Sequence, residues 1–304
     1  MTSKQKRDLV EVFGYSPDDL SNNARTLWKL DACPFTNSRC SKSNHDNSIV
    51  YGTCSVTTPY GDCVICPNRF YENDHGVLKR ISKECFGSRV PFLLYSQYIP
   101  KRTLLEECVV ALGQNSGKEV KIGSRLSMDW ILARIQGNKL IEYVGVEVQS
   151  IDITGNYRDT WYAYKNLSPE SKKDFPPSEH GLNWANVHKR LIPQIIRKGR
   201  VYAKSAYVNR GLYFVVPDIV YRKFEEVIGD DIPTLDESRI KNDVITIHTY
   251  DLSEPKGHGL QRVLIENRKI HLSLDEFSTR FISGPNLPSG SDLDFAVQRI
   301  LGIS

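Results

Sequence analysis

Clustered cysteines constrain this chain more than any other feature of its sequence. Five of the seven cysteines lie between Cys33 and Cys66, and none follows Cys108. The segment that holds them, residues 31–70, is polar and rich in turn-forming residues, so it has too little apolar material to fold by burial alone. Small segments of this kind are commonly organised by a bound metal. We therefore expect a compact metal-binding module in this part of the chain.

Four thiolates would form a closed tetrahedral site suited to Zn²⁺ or to a single iron. The candidates are Cys33, Cys40, Cys54, Cys63 and Cys66. Spacing alone favours Cys63 and Cys66 as a CxxC pair, although the other gaps are irregular. The alternative is a set of buried thiols without a metal. Cys85 and Cys108 lie in apolar stretches and are predicted to be plain core residues.

The composition excludes a disordered chain and a fibre. The chain has 304 residues, of which 40% are hydrophobic and 25% charged, as in ordinary globular proteins. No stretch approaches the ~20 apolar residues that a membrane helix needs, and the N-terminus lacks the apolar segment of a secretory signal. The net charge of +4 is a weak bias for a purely electrostatic nucleic-acid binder. We expect a cytoplasmic protein with no membrane partner.

Apolar periodicity predicts both helices and strands, and therefore an α/β body. Helices are predicted in a short lead over residues 1–30, at 103–113, at about 184–198 with a bend at Pro193, at 219–229, and at 292–303 as a closing helix. Strands are predicted at 118–125, 127–135, 140–151 and 212–218, with edge strands at 244–252 and 262–274. A change of composition after Pro100 divides the chain into residues 1–100, with the cysteine module, and residues 101–304.

The sharpest pattern is a predicted hairpin that brings acidic side chains together. In YVGVEVQ, residues 143–149, three valines alternate with Gly145, Glu147 and Gln149, so the valines face a core and the other three face the opposite way. Gly145 would leave room for a ligand. A hairpin folded about Asn138 would set Asp129 opposite Glu147 on the same face. Two carboxylates that close repel each other unless a proton or a cation lies between them.

A hard divalent cation on oxygen ligands removes that repulsion, and Mg²⁺ is the usual choice. Its ligands would be Asp129, Glu147 and the backbone carbonyl of Val148. Such a metal polarises a phosphoryl oxygen and activates water, which is what phosphodiester hydrolysis requires. Gln149 carries no charge but can orient water or a phosphate oxygen, and Glu119 would add a further acidic contact. The alternative is a set of solvated acids on ordinary strands.

Basic residues are dense between Lys189 and Lys204. They are Lys189, Arg190, Arg197, Lys198, Arg200 and Lys204. They fit a patch that follows the phosphates of a nucleic acid, because such contacts supply most of the affinity that does not depend on sequence. They fit the solvated face of a helix equally well.

A series of short motifs is specific when its members are taken together. The motifs are CPF at 33–35, Cys40, GTC at 52–54, CPNR at 66–69, MDWILA at 128–133, GVEVQSID at 145–152 and LNWANVHKR at 182–190. In order and spacing they resemble the NotI-type type II restriction endonucleases, from about residue 30 to residue 200. The resemblance implies a PD-(D/E)XK nuclease core, which is a mixed sheet flanked by helices, after a small N-terminal four-cysteine metal-binding module that contacts DNA.

The resemblance also implies roles for individual residues. Asp129 matches the family's metal-binding aspartate, and Glu119 lies where the family has a further glutamate. Glu147 and Gln149 match an E-x-Q variant in which glutamine replaces the usual lysine. The four-cysteine iron site of the family is matched by Cys33, Cys40, Cys54 and Cys66. Cys63 falls where the prototype has an aromatic residue, so it is the spare thiol.

A substrate and partners follow from the same resemblance. Such enzymes act as homodimers on GC-rich palindromes of double-stranded DNA with a GGCC centre, each subunit cutting one strand, and each pairs with a cognate DNA methyltransferase in bacteria. Because the chain is shorter than the prototype, we expect a six-base site such as CGGCCG. Two rival hypotheses are a non-catalytic metal-finger DNA-binding protein, which would not nick DNA, and a structure-specific repair nuclease on the same core, which would ignore sequence.

Overall fold

The computed structural model describes residues 7–122, 126–171, 175–285 and 287–303. Its strands are β1 (Leu9–Val12), β2 (Ala32–Cys33), β3 (Ser38–Arg39), β4 (Thr53–Thr58), β5 (Gly61–Val64), β6 (Phe92–Leu94), β7 (Glu107–Gly113), β8 (Val120–Ile122), β9 (Leu126–Met128), β10 (Trp130–Gln136), β11 (Lys139–Val148), β12 (Ile153–Thr154), β13 (Gly181–Leu182), β14 (Leu212–Pro217), β15 (Val244–Leu252) and β16 (Leu264–Ser273). Its α-helices are α1 (Asn22–Leu30), α2 (Glu72–Phe86), α3 (Tyr95–Tyr98), α4 (Arg158–Lys165), α5 (Ile192–Tyr202), α6 (Asp218–Ile228), α7 (Leu274–Ser283) and α8 (Gly290–Leu301).

A mixed sheet of seven strands dominates the described residues, in the order β16-β15-β14-β11-β10-β7-β6. Strands β11, β14 and β15 are parallel to one another, whereas β10 pairs antiparallel with both β11 and β7. Every residue of β14 is buried, as expected for an apolar strand covered on both faces. The parallel run β11-β14-β15 therefore meets the antiparallel hairpin of β10 and β11 at β11, while the outer strands β16 and β6 pair antiparallel with β15 and parallel with β7.

Helices cover both faces of this sheet. On one face, Tyr213 of β14 donates a hydrogen bond to Glu84 of α2 at 3.4 Å. On the other face, Phe214 stacks on Phe224 of α6 with the ring centroids 5.7 Å apart. Neighbouring residues of a strand point to opposite faces, so these two contacts place α2 and α6 on opposite sides. The protein is thus a mixed α/β protein with a large sheet between helices, as predicted.

A buried arginine fastens the cysteine-bearing segment to the loop between β15 and β16 of the large sheet. Strands β1, β4 and β5 form a small antiparallel sheet. Arg69 follows it and is fully buried. Its guanidinium donates to Glu11 of β1 at 3.0 Å and to the backbone carbonyl of Arg262 at 2.8 Å. Buried residues of this segment belong to the same apolar cluster as those of the large sheet. The predicted division after residue 100 stays a prediction.

The predicted helix at 103–113 is wrong, because Glu107–Gly113 forms β7 between β10 and β6. Its apolar run, residues 108–111, is buried within the sheet. A short apolar run suits a buried strand as well as a helix, and periodicity alone does not separate the two. The adjacent Val109 and Val110 are β-branched and favour the strand.

Three further predictions need correction. The lead over 1–30 is not helical throughout, because Leu9–Val12 pairs with β4 and the helix covers only Asn22–Leu30. Strand 244–252 is not an edge strand, since β15 lies between β14 and β16. The helix predicted at 292–303 forms as α8, but none of its described residues is buried, so it does not close the core as predicted.

Of the strand predicted at 118–125, Val120–Ile122 forms β8 and residues 123–125 lie outside the described residues.

Other elements agree with the sequence predictions. Leu212–Pro217 is a buried strand and Asp218–Ile228 is a helix. The helix expected near 184–198 contains a π-helical turn, Val187–Leu191, directly before α5. Pro193 lies in the first turn of α5, and because proline has no N–H to donate, the regular hydrogen-bond ladder is interrupted there. No helix in the described parts of the chain is both long and apolar enough to cross a membrane.

Candidate active site

The hairpin of β10 and β11 forms with the predicted register next to the acidic residues. Trp130 pairs with Val146, so the next position along the ladder sets Asp129 opposite Glu147. Nearer the turn, Ile141 of β11 has no partner and forms a β-bulge. Counted from the turn without this bulge, Asp129 would lie opposite Val146. The bulge at Ile141 therefore decides which side chains meet.

Asp129 lies between β9 and β10, where the chain enters the large sheet. Its Oδ2 accepts hydrogen bonds from the backbone N–H of Val148 at 3.1 Å and from Nε2 of Gln149 at 2.8 Å. The backbone N–H of Asp129 in turn donates to Oε1 of Glu147 at 3.4 Å. The fold thus brings together four of the residues singled out in the sequence. Val148 engages Asp129 through its N–H, and its carbonyl as a metal ligand stays a prediction.

Glu147 is 2% exposed, and its second oxygen, Oε2, accepts a hydrogen bond from Nζ of Lys198 on α5. The pKa of Glu147 is raised to about 8, chiefly because burial disfavours the carboxylate and also because Asp129 lies nearby, while the Lys198 ammonium acts in the opposite direction. Two adjacent carboxyls, one of which readily keeps its proton at neutral pH, are what the hairpin pattern predicts in the absence of a cation.

A cleft of about 290 Å³ opens beside Asp129. One side comes from the large sheet and its flanks, and the other from the cysteine-bearing segment and the residue that follows it, Tyr71. Representative lining residues are Asp129, Gln149 and Glu119 on the first side and Arg39, Asn68 and Tyr71 on the second. The carboxylate of Glu119 forms an ion pair with Lys121 at 3.1 Å. Glu119 therefore shares the cleft with Asp129, with its carboxylate held by a lysine of β8.

The seven cysteines are free thiols and all are buried. Burial raises the pKa of Cys54 well above its ordinary value, and the charges of Cys66, Glu11, Cys40 and Cys33 raise it further, so the four sulfurs are within range of electrostatic interaction. The pKa of Cys63 is also raised by burial, but the charges that act on it are those of Asp251 and Asp62 rather than those of other cysteines. Cys66, and not Cys63, is therefore the thiol that interacts electrostatically with Cys33, Cys40 and Cys54, and their role as a ligand set stays a prediction.

Hydrogen bonds to two of these sulfurs suit thiolates. The backbone N–H of Lys42 donates to Sγ of Cys40 at 3.4 Å, and backbone N–H groups at Asn68 and Arg69 lower the pKa of Cys66 against the stronger effect of burial. Donors of this kind favour the charged sulfur that Zn²⁺ or iron requires. Among the described residues, no group of three or more histidine, cysteine, aspartate or glutamate side chains is arranged to hold a metal ion. The four thiols are thus neighbours of suitable chemistry, not an assembled ligand set.

Comparisons with known proteins give no family. No family model matches the chain, and no curated protein matches its sequence. The function is therefore argued from the residues of the site and from the motifs that resemble those of NotI-type nucleases.

Lys198 is a site residue that sequence reasoning missed. The sequence places it among six basic residues that predict a phosphate patch or a solvated helix face, whereas its side chain is buried against Glu147. Gly145 was also misinterpreted. A Cβ at Gly145 would lie 2.1 Å from the ring of Tyr202, so the missing side chain makes room for α5 rather than for a ligand. Lys198 and Tyr202 are four residues apart on α5, so they lie on one face of the helix. They contact Glu147 and Gly145, which are two residues apart and therefore on one face of β11. Both spacings can be read from the sequence.

Proposed function

We propose that the protein is an endonuclease that hydrolyses phosphodiester bonds in double-stranded DNA, and that it is a NotI-type enzyme of the PD-(D/E)XK superfamily. The observation that supports this most is the hydrogen bond from the backbone N–H of Asp129 to Oε1 of Glu147 beside an open cleft, with the two carboxyls near enough for Asp129 to raise the pKa of Glu147. Two carboxyls that interact in this way favour a proton or a cation between them. Oxygen ligands of this kind select Mg²⁺ or a similar hard cation.

Mg²⁺ bound by Asp129 and Glu147 would polarise a phosphoryl oxygen and lower the pKa of a bound water. Gln149 holds Oδ2 of Asp129 through its amide N–H, and its own carbonyl oxygen remains an acceptor that can orient a water molecule. Lys198 binds Oε2 of Glu147, so Oε1 is the oxygen on the Asp129 side. Lys198 also offsets the negative charge that the two acids concentrate in one place.

The cysteine cluster is proposed to hold a structural zinc or iron. Cys66 immediately precedes a 3₁₀ helix, Pro67–Tyr71, and Tyr71 at its end lines the cleft and accepts a hydrogen bond from the indole N–H of Trp130 at 2.9 Å. Trp130 follows Asp129 in the chain. A metal at Cys66 would therefore fix one wall of the cleft relative to the acids.

The proposed biology follows the family resemblance. The enzyme would act in the bacterial cytoplasm as a homodimer, because a two-fold symmetric dimer presents identical sites to the two halves of a palindrome. Its target would be a GC-rich palindrome with a GGCC centre, CGGCCG being our specific expectation. A cognate DNA methyltransferase would protect the host's own copies of that sequence.

Cleavage of a sequenced plasmid tests the proposal. Wild-type protein, Glu147→Gln and the control Glu106→Gln are incubated with supercoiled plasmid, with and without Mg²⁺, and the fragment ends are sequenced. We expect Mg²⁺-dependent cuts at one short palindrome by the wild type, none by Glu147→Gln, and DNA binding by both in a gel-shift assay. Glu106 is exposed and lies outside the cleft, so its variant should cut normally.

Other outcomes point elsewhere. Sequence-specific binding with no Mg²⁺-dependent nicking would favour the metal-finger DNA-binding protein. Cuts at branched or damaged DNA irrespective of sequence would favour the repair nuclease. Full cleavage by Glu147→Gln would remove the carboxyl pair from the chemistry.

A further inference from the structure

We propose that Arg39 binds a backbone phosphate of the DNA on the side of the cleft facing Asp129, an inference that rests on the proposed nuclease function. Arg39 is the last residue of β3, in the cysteine-bearing segment, and it lines the same cleft as Asp129 and Gln149. The two walls therefore carry different chemistry. One wall holds the acids, and the other presents a guanidinium.

Charge is the first argument. Among the described residues that line the cleft, Arg39 has the one cationic side chain, whereas Asp129 and Glu119 are acidic. DNA carries a negative charge at every phosphate, so a strand that enters this cleft meets repulsion from the acids. A cation bound at Asp129 acts on the phosphate beside it, and a neighbouring phosphate needs a second positive group. Arg39 supplies that group.

The guanidinium of Arg39 is available for a ligand. Its side chain is 66% exposed, and its acidic partner, Asp31, lies 3.6 Å away and is itself partly exposed. Exposed ion pairs of this kind contribute little to stability, so exchanging Asp31 for a phosphate costs little. A guanidinium binds phosphate oxygens in a bidentate fashion, which favours the exchange.

Hydroxyl groups surround Arg39 on the same wall. Thr36, Ser38 and Ser41 all line the cleft. Serine and threonine hydroxyls, together with arginine, are the usual ligands of DNA phosphates, and such contacts fix the position of the backbone without reading sequence. This wall faces the acids that would act on the scissile phosphate, so the part of the DNA that it meets is the backbone of the cleaved strand.

The hairpin that carries Arg39 is held in place before DNA arrives. Cys33 pairs with Ser38 across β2 and β3, and the backbone N–H of Cys40 donates to the carbonyl of Asp31 at 2.7 Å. Arg39 is thus adjacent to Cys40, a member of the thiol cluster. An anchored hairpin loses little conformational entropy on binding.

Binding measured without divalent cations tests the inference independently of cleavage. Fluorescence anisotropy compares labelled duplexes with and without CGGCCG for wild type, Arg39→Ala, Arg39→Lys and the control Arg89→Ala. Arg89 is exposed and lies outside the cleft. We expect Arg39→Ala to weaken binding to both duplexes by a similar factor, about tenfold, and to reduce the slope of log K against log salt by about 1. Lysine should restore part of the affinity, because it keeps the charge and loses the bidentate geometry.

The outcomes separate the two proposals. If the wild type binds neither duplex, with Ca²⁺ in place of Mg²⁺ as well as without divalent cations, the nuclease proposal itself fails. If the wild type binds and Arg39→Ala matches it in affinity and salt slope, the phosphate contact is overturned while the nuclease proposal stands. If Arg39→Ala weakens binding only to the duplex that contains the site, Arg39 reads a base, and the phosphate assignment is wrong.

Discussion

Lys198 of α5 and Glu147 of β11 form a pair that is almost completely shielded from water, with the lysine side chain 9% exposed and the glutamate side chain 2% exposed, and it is an ion pair when Glu147 is ionised. The pair joins a helix to the strand that carries the candidate site. Desolvation makes such a pair expensive to assemble, and breaking it on one side leaves an uncompensated charge in the interior. The two residues should therefore behave as a unit.

Lys198→Met tests this coupling. At pH 8.5, where Glu147 of the wild type is mostly ionised, we expect the single variant to lose about 1 kcal/mol more unfolding free energy than it loses at pH 6, because without the ammonium the buried carboxyl must take up a proton. Adding Glu147→Gln should recover most of that loss. Below about pH 6 the penalty should shrink, because removing Lys198 raises the pKa of Glu147 further and a protonated carboxyl needs no partner. Urea unfolding at both pH values measures the difference.

Arg200→Met serves as the control for a pair with exposed partners. Arg200 forms an ion pair with Asp275 in which both side chains are largely exposed, and we expect a change of less than about 1 kcal/mol. Equal losses for Arg200→Met and Lys198→Met, or additive effects of Lys198→Met and Glu147→Gln, would show that burial of the pair has no special energetic role.

Mg²⁺ and a proton should compete for Glu147. Its pKa of about 8 means that the carboxyl is mostly protonated at neutral pH, and a metal requires the ionised form. In the metal-free protein, the stability that the proton provides is complete below the unfolded-state pKa of about 4.3 and is lost as the pH rises through 8. Millimolar Mg²⁺ should therefore raise the melting temperature more at pH 8.5 than at pH 6.5.

Cleavage should follow the same competition. At low Mg²⁺ the initial rate should rise about tenfold per pH unit below pH 8, and the midpoint should move to lower pH when Mg²⁺ is increased. Glu147→Gln provides the control, because without this carboxyl the effect of Mg²⁺ on the melting temperature should lose its pH dependence. A midpoint that stays fixed at all Mg²⁺ concentrations would mean that another group titrates.

Local alternation was enough to predict the hairpin, whereas its register depended on something that the sequence does not display. The predicted centre at Asn138 gives the observed pairing of Trp130 with Val146, next to Asp129, only because Ile141 bulges and moves the ladder by one residue. No residue type marks that bulge, since Ile141 is an ordinary strand former. The agreement at Asp129 therefore combines a correct pattern with an unpredicted irregularity.

Tertiary packing explains what sequence patterns missed. Lys198 belongs to a basic run, and only the docking of α5 against Gly145 carries its ammonium into the core. Residues 107–113 contain a short apolar run that suits a helix or a buried strand, and the neighbouring β10 and β6 decide the outcome. In both cases the deciding partner is distant in the chain, so local periodicity alone does not identify the outcome.

Serine substitutions distinguish the two cysteines that compete for the last place in the cluster. Cys66 lies with Cys33 and Cys40, whereas Cys63 lies near Asp62. Elemental analysis of the purified protein should find about one zinc or iron per chain in the wild type and in Cys63→Ser, and much less in Cys66→Ser. Cys66→Ser should also melt at a lower temperature, because bound metal contributes folding free energy.

The converse pattern would reassign the ligand. Metal lost from Cys63→Ser and kept by Cys66→Ser would restore the CxxC pair, and a wild type that binds neither zinc nor iron would leave the cluster as buried thiols. Cys108→Ser, a buried thiol of β7 far along the chain from the cluster, controls for the cost of placing a hydroxyl in an apolar site.

Helix α8 tests how much of the chain the core needs. None of its residues is buried, and Leu293, Phe295 and Ile300 are 66%, 66% and 80% exposed. Deleting residues 290–304 should therefore change the unfolding free energy of the dilute protein by less than about 0.5 kcal/mol, as for other surface changes. Leu274→Ala in α7, where the leucine is 1% exposed, should by contrast cost about 2–5 kcal/mol. Urea unfolding at two protein concentrations checks both expectations.

A loss from the deletion that appears only at the higher concentration would mean that α8 packs against a second copy of the chain. An equal loss at both concentrations would mean that α8 packs against the rest of its own chain.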